Sequence, residues 1–266
     1  MTYSFSHSTS KLVVSLADGI ATLAIDNLPK HNALDLEMWQ AFPDIMATLD
    51  RDPQVRVVVL RGAGQDSFAS GADIGEFATL RANAEGGRRY EATNEAAFWA
   101  VAHCSKPVLA MIRDFCLGGG FGLALSCDLR VASESAIFGI PAARLGIGYP
   151  PGAMKLVTAA VGAPAAKDLF FSARRIDAQE AARLGVVQRV VPDDRLEETV
   201  LSLAQTIAEN APLTIKAAKA AIDEVVGVAH PDADPVALAD QCFDSHDAAE
   251  GRNAFLEKRR PVFSGR

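Results

Sequence analysis

Apolar and polar positions first alternate near the start of the chain. Lys11-Leu12-Val13-Val14-Ser15-Leu16 and Ile20-Ala21-Thr22-Leu23-Ala24-Ile25 flank Asp18-Gly19. Asp-Gly suits a tight two-residue turn, so the stretch predicts a β-hairpin. The period then lengthens. Leu36, Trp39, Phe42, Ile45, Met46 and Leu49 recur at helical spacing behind Asp35, which predicts a capped helix with a kink at Pro43. Val55 to Leu60 is almost continuously apolar, the pattern of a strand buried in a parallel sheet.

A second unit repeats this logic. Residues 88–103 read as a helix, Pro107 to Ile112 as a strand, and a helix starts at Gly118. Leu129 to Ala132 and Val186 to Val191 read as further short strands. Strands alternating with helices imply crossover units, hence an α/β fold with a mostly parallel sheet. After Pro192, residues 194–209, 212–226 and 236–259 read as helices with no strand between them. The expected organisation is an α/β core over residues 1–195 and a helical region over 196–266.

Composition narrows the function classes. The 266 residues carry 26 basic and 33 acidic side chains, a net charge of −7, which argues against a nucleic-acid partner. No apolar run is long enough to span a membrane, and Met1 to Ser8 lacks a leader pattern. Cys104, Cys116, Cys127 and Cys242 lack C-x-x-C spacing and read as reduced thiols of a cytoplasmic protein. The five histidines form no metal-ligand pattern, so no metal is expected.

Candidate chemistry lies in two glycine-bearing loops. Gly62-Ala63-Gly64 invites a dinucleotide reading, but Ser67 stands at the third glycine position and no helix begins there. Further on, Ser70-Gly71-Ala72-Asp73-Ile74 combines a permissive glycine with an aspartate able to cap a short helix. Leu117-Gly118-Gly119-Gly120-Phe121-Gly122 joins an apolar strand to a helix apolar nearly all round, hence buried. The first N–H groups of a helix lack intrahelical partners and lie at its positive end. Two such loops can aim two N–H donors at one oxygen, an oxyanion hole built from backbone alone.

With these loops, the chain resembles the crotonase, or enoyl-CoA hydratase/isomerase, superfamily over nearly its whole length. The resemblance rests on Pro29-Lys30-His31-Asn32-Ala33-Leu34, Phe68 to Ile74, Gly118-Gly119-Gly120 with Cys127-Asp128, and Phe138-Gly139-Ile140-Pro141. Ala178-Gln179-Glu180-Ala181 to Gly185-Val186-Val187 and Ala249-Glu250-Gly251 to Phe255-Leu256-Glu257-Lys258-Arg259 complete it. It implies a spiral core of ββα turns, a C-terminal helical region that packs trimers or dimers of trimers, and acyl-CoA thioesters as substrates. By position it makes Ala72 and Gly119 the N–H donors to the thioester oxygen. Lys30 and residues 72–75 (Ala72, Asp73, Ile74, Gly75) would lie along CoA, and Lys258 would either reach its phosphates from a neighbouring subunit or stand as an exposed helix charge. Coenzyme A comes with the substrate, so no separate cofactor is implied.

The chain departs from the family's pattern at the two usual catalytic glutamates, where Gly122 and Ala142 stand. Asp114 replaces a glycine four residues before the glycine triplet and reads as a turn residue, with a replacement acid near the site as the alternative. Tyr149 falls where some family decarboxylases and dehalogenases place an active-site side chain, and equally fits a tyrosine packed under Pro150 and Pro151. Glu91 and Glu95 on the 88–103 helix read as exposed charges, with side chains facing the acyl pocket as the alternative. The leading expectation is an enoyl-CoA hydratase/isomerase-family enzyme. A decarboxylase-like or lyase-like enzyme using Tyr149 and a non-catalytic acyl-CoA-binding protein are the alternatives.

Overall fold

The computed structural model describes residues 9–266; the Met1–Ser8 segment, whose missing leader pattern was noted above, lies outside them. Strands β1 (Leu12–Ala17) and β2 (Ile20–Ile25) form the expected antiparallel hairpin, turning through Asp18 and Gly19, both at positive φ. The next strands come in pairs: β3 (Val57–Gly62) with β4 (Ser67–Ala69), β5 (Val108–Ile112) with β6 (Phe115–Leu117), and β7 (Leu129–Ser133) with β8 (Ile137–Gly139). Strands β9 (Arg175–Asp177) and β10 (Arg189–Val191) follow.

The first member of each pair enters a six-stranded sheet of order β1-β2-β3-β5-β7-β10, parallel from β2 onward. The second enters a smaller sheet of order β4-β6-β8-β9, where β9 alone runs antiparallel. Helices return the chain between pairs, so each turn of the spiral is a ββα unit, as the family resemblance implies. Helix α1 (Leu36–Arg51) precedes the first pair; α2 (Phe77–Leu80) and α3 (Ala84–Ala102) follow it. Next come α4 (Gly118–Ser126) after the second pair, then α5 (Ala142–Leu145) and α6 (Pro151–Ser172) after the third. The chain finishes with α7 (Ala178–Arg183), α8 (Leu196–Ala208), α9 (Pro212–Val226), α10 (Pro235–Phe243) and α11 (His246–Leu256).

The main core gathers Trp39, Phe42, Phe68, Phe121 and Phe138, all fully buried. Each such side chain contributes about 1.5–3 kcal/mol through burial. The opposite face of the large sheet is closed by α8, whose Leu196, Val200 and Ala204 pack on Val57, Leu109 and Val131. Buried Arg130 fixes α4 from behind, donating from Nη1 to the Ala124 and Cys127 carbonyls and from Nε to the Val186 carbonyl. A cation bonded to the last carbonyls of a helix favours that end of its dipole. The glycine-rich beginning of α4 is thereby held in place.

Three sequence expectations change. Helix α1 runs through Pro43 without breaking, because its buried face from Met38 to Leu49 is anchored on both sides of the proline. The strand expected from Val186 shortens to Arg189–Val191, since Val186 N–H and Val187 N–H turn back to the Ala181 carbonyl. The helix expected over 236–259 is two, because the Ser245 hydroxyl accepts from Ala248 N–H at 3.0 Å and starts α11 afresh. No helix among the described residues is long and apolar enough to cross a membrane.

Candidate active site

Ala72 is positioned by the segment from Lys30 to Leu34. Asn32, fully buried, donates from its amide to the Ala63 carbonyl at 3.0 Å and the Ser67 carbonyl at 2.8 Å. Leu34 N–H then donates to the Gly71 carbonyl, and Asp73 N–H donates to the Leu34 carbonyl, both at 2.8 Å. In this parallel bridge the bonds from Leu34 go to the residues on either side of Ala72. The Ala72 N–H therefore points to the other side of its chain.

That side holds the start of α4. Gly119 is the second residue of the helix, where the N–H has no intrahelical acceptor. A Cβ built on Gly119 would sit 3.8 Å from the Ala72 nitrogen and 2.9 Å from the Trp39 ring. Close approach depends on glycine elsewhere too. Gly71, at φ 111°, leaves room only for its hydrogen, since a Cβ would come 3.1 Å from the Leu117 carbonyl oxygen. The structure thus brings Ala72 and Gly119 together as the sequence proposed, at the positive end of a buried helix.

At the mouth, Asp73 accepts from Gly75 N–H at 3.0 Å and caps the short 3-10 turn Ile74–Glu76. Lys30 Nζ lies 2.5 Å from Asp73, and this ammonium holds the Asp73 carboxyl below its usual range. Lys30, Asp73 and Gly75 therefore form one cluster beside Ala72, with Ile74 exposed next to them. Lys258 follows α11 at φ 55°, exposed, and among the described residues no hydrogen bond or ion pair joins it to this cluster.

Behind the two amides, a small cavity is lined by Gly118, Gly122, Tyr149, Phe98, Ile140 and Phe170 among others. Tyr149 sits edge-on to Phe170, with ring centroids 5.2 Å apart, and burial pushes its phenol up to about 12. It is a protonated hydrogen-bond donor at neutral pH. Gly122 faces Phe98; a Cβ there would come 2.6 Å from the ring, so Phe98 fills the space a longer side chain would need. Ala142 is buried. Asp114 turns the chain at φ 47° before β6, about 10–13 Å of strand from Gly118 at ~3.3 Å per residue, in keeping with a turn residue. Larger cavities of about 470 and 580 Å³ lie under α9, but neither Ala72 nor Gly119 lines them.

The reading of Glu91 as an exposed helix charge is overturned. Its carboxylate is 2.8 Å from Arg81 Nη2, with 13% of the side chain exposed, and burial pushes its pKa up. Glu95, one turn later, lies against the backbone of Gly152 at the start of α6. The signal was in the spacing: Glu91, Glu95 and Phe98 stand at i, i+4 and i+7, one face of α3. The three buried thiols Cys104, Cys116 and Cys127 have pKa values raised by burial, which leaves them unreactive.

A spiral of ββα turns, with the Ala72 loop packed beside the glycine-rich start of a buried helix, is the architecture of a crotonase-type protein. The chain belongs to the enoyl-CoA hydratase/isomerase family, whose model matches residues 16–266. A short-chain-enoyl-CoA hydratase from Clostridium acetobutylicum is 35% identical, covering 93% of this chain and 95% of its own. A peroxisomal Delta(3,5)-Delta(2,4)-dienoyl-CoA isomerase from Arabidopsis thaliana is 32% identical, covering 97% of this chain and 98% of its own. Among solved structures, an enoyl-CoA hydratase/carnithine racemase from Magnetospirillum magneticum matches with a TM-score of 0.90 at 37% identity, covering 97% of each chain. The chain is an acyl-CoA-processing member of this family.

Proposed function

We propose that this protein polarises an acyl-CoA thioester by hydrogen bonds from the Ala72 and Gly119 N–H groups and stabilises the enolate that forms. The observation that carries the reading is the meeting of these two amides, 3.8 Å between the Gly119 Cβ position and the Ala72 nitrogen. Negative charge grows on the thioester oxygen as the α-carbon loses a proton or a carboxylate. Donors fixed in place stabilise that charge more than the starting carbonyl, which is the condition for acceleration. They need no cofactor beyond the coenzyme A carried by the substrate. In this reading the Lys30–Asp73 cluster and the Ile74–Gly75 turn hold CoA as it leaves the hole, and Lys258 reaches its phosphates across a subunit contact.

Which reaction follows depends on the proton-handling side chains. Neither Gly122 nor Ala142 can move a proton, and such a group commonly contributes about 10²–10⁴-fold. Tyr149 supports a second reading. Its protonated phenol lines the cavity shared with Gly118 and Gly122, where it can hold the carboxylate of a malonyl-type thioester. Loss of carbon dioxide to an enolate needs no general base.

A panel of enoyl-, malonyl- and aryl-CoA thioesters tests both readings. Turnover of an enoyl-CoA supports hydratase or isomerase chemistry. Carbon dioxide release from malonyl-CoA, reduced in Tyr149→Phe, supports the decarboxylase. Tight binding with no turnover across the panel would make the chain a binding protein, and no binding would overturn the acyl-CoA reading itself.

A further inference from the structure

Helix α11 buries only two residues, Asp247 and Ala254. Its Phe255 and Leu256 are open to solvent, so the packing of its own side chains does little to fix it. The segment that follows does. Residues 259–266 turn back along the helix as a strap, gripped at two points one turn apart. Glu250 holds Arg259 through both oxygens, at 2.6 and 2.9 Å, and accepts from Val262 N–H at 2.8 Å. Asp247, 3% exposed, accepts from Ser264 N–H and Gly265 N–H, both at 2.8 Å, and its own N–H donates to the Arg266 carbonyl. The strap also reaches the α/β core. Arg56, just before β3, donates to the Phe263 carbonyl at 3.0 Å, and Gly265 lies against Pro212 at the start of α9.

Lys258 stands at the bend between helix and strap. Its N–H donates to the Phe255 carbonyl and Arg259 N–H to the Ala254 carbonyl, the paired bonds of a Schellman turn. That turn puts Lys258 in the left-handed region, at φ 55°, where glycine is the usual residue. A lysine there carries backbone strain, which persists only where the surroundings over-determine the conformation. Asp247 and Glu250 supply that constraint, and Arg259, the next residue, is also held by Glu257. Two carboxylates with side chains only 2% and 14% exposed thus fix the backbone that carries one exposed lysine. Glycine would make this turn without strain, so what lysine adds at the position is its ammonium.

We propose that Asp247 and Glu250 are positioning residues: through the strap they hold Lys258 so that its ammonium meets the phosphates of acyl-CoA. This rests on the acyl-CoA reading above, in which Lys258 serves the phosphates, and adds what orients it. Neither carboxylate acts on the ligand itself. An ammonium on a fixed backbone loses less conformational freedom on binding than one on a fraying helix end.

Calorimetric titration of the full chain with butyryl-CoA and with butyryl-pantetheine, which shares the thioester and lacks every phosphate, separates the claims. Lys258→Ala should lower the preference for butyryl-CoA by about fivefold, the upper range for an exposed ion pair. Asp247→Asn turns one acceptor into a donor facing an N–H, and Glu250→Gln breaks the fork to Arg259. Each should lower the preference by about two- to fivefold on the same scale. Butyryl-pantetheine should bind both variants as it binds the wild type, and their sedimenting mass should be unchanged. Lys258→Gly should melt above Lys258→Ala, because glycine relieves the bend.

An unchanged preference in both carboxylate variants overturns the positioning role and leaves Lys258 on the phosphates. Weaker binding of both ligands alike, or a loss seen only where the sedimenting mass falls, does the same. Lys258→Ala melting at or above Lys258→Gly removes the strained bend and the proposal with it. An unchanged preference in Lys258→Ala overturns both the phosphate contact and its positioning, and leaves the thioester site standing. Binding of neither ligand by the wild type overturns the acyl-CoA reading itself.

Discussion

At Gly119 the proposed oxyanion hole has room for a hydrogen and not for a side chain. In Gly119→Ala the added methyl would come 2.9 Å from Trp39 and stand 3.8 Å from the Ala72 nitrogen, where the thioester oxygen belongs. Alanine keeps its N–H, but the methyl would push the oxygen off it; losing one such donor contact typically costs about 2.7–4 kcal/mol, so kcat should fall about 10²–10³-fold, measured on whichever thioester the wild type turns over. Gly122 is constrained in a different way. Gly122→Glu meets the Phe98 ring, and overpacking of this kind costs about 1–3 kcal/mol by denaturant unfolding. Phe98→Ala should relieve that clash, so the double variant is expected to be more stable than the sum of the two single changes predicts. Strict additivity would show that the two positions do not touch in solution.

Among the elements, α3 links the site to the far side of the core and carries a pH-dependent term at its end. His103 follows its last turn, 4.7 Å from the Trp99 ring and 4.9 Å from that of His230, with its pKa pushed down to about 4 by burial. The unfolded chain takes up this proton near pH 6.5, the folded chain only near 4. Stability from this group is present above pH 6.5 and is lost as pH falls toward 4, because the unfolded state then binds more protons. Asp223, raised to about 6 by burial, slopes the opposite way between its unfolded value and 6. The difference between wild type and His103→Gln in urea unfolding across pH 4–7 isolates the histidine. It should grow with pH, and a flat difference would contradict the assignment.

The same elements show what the chain made legible. The hairpin, α1, β5 and the start of α4 follow from strict periods, Asp-Gly and caps. By contrast, α6 carries apolar side chains on every side and contains Gly162 and Pro164, so no period marks it. The strands of the small sheet are three residues long, too short for alternation to register. At the site, the glycines marked the two loops that lie together, because close backbone approach depends on them. Glu91 stayed hidden because polar residues surround α3, and only contact with α4 and α6 shows which of them turn inward.

For the whole molecule, the C-terminal helices present apolar side chains to solvent. Phe243, Phe255 and Val225 are 77%, 84% and 87% exposed, and Leu256 and Phe171 are also largely open. Exposed apolar side chains of this size suit a subunit interface. Assembly into trimers or pairs of trimers should appear in sedimentation as three or six times 28.2 kDa at micromolar protein. Phe255→Glu with Leu256→Glu should shift the mass toward the monomer, whereas a monomeric wild type would refute the assembly. If Lys258 serves a neighbouring site, acyl-CoA affinity should fall along with the oligomer.

The proposed activity depends on an acyl thioester whose oxygen accepts from Ala72 and Gly119. The most direct measurement is the carbonyl stretch of a bound acyl-CoA, ¹³C-labelled at the thioester carbon, by difference infrared spectroscopy. Two hydrogen bonds at the positive end of α4 should move the band to lower frequency than in water, and Gly119→Ala should return most of that shift. A bound thioester with the frequency it has in water, unchanged by Gly119→Ala, would contradict the account.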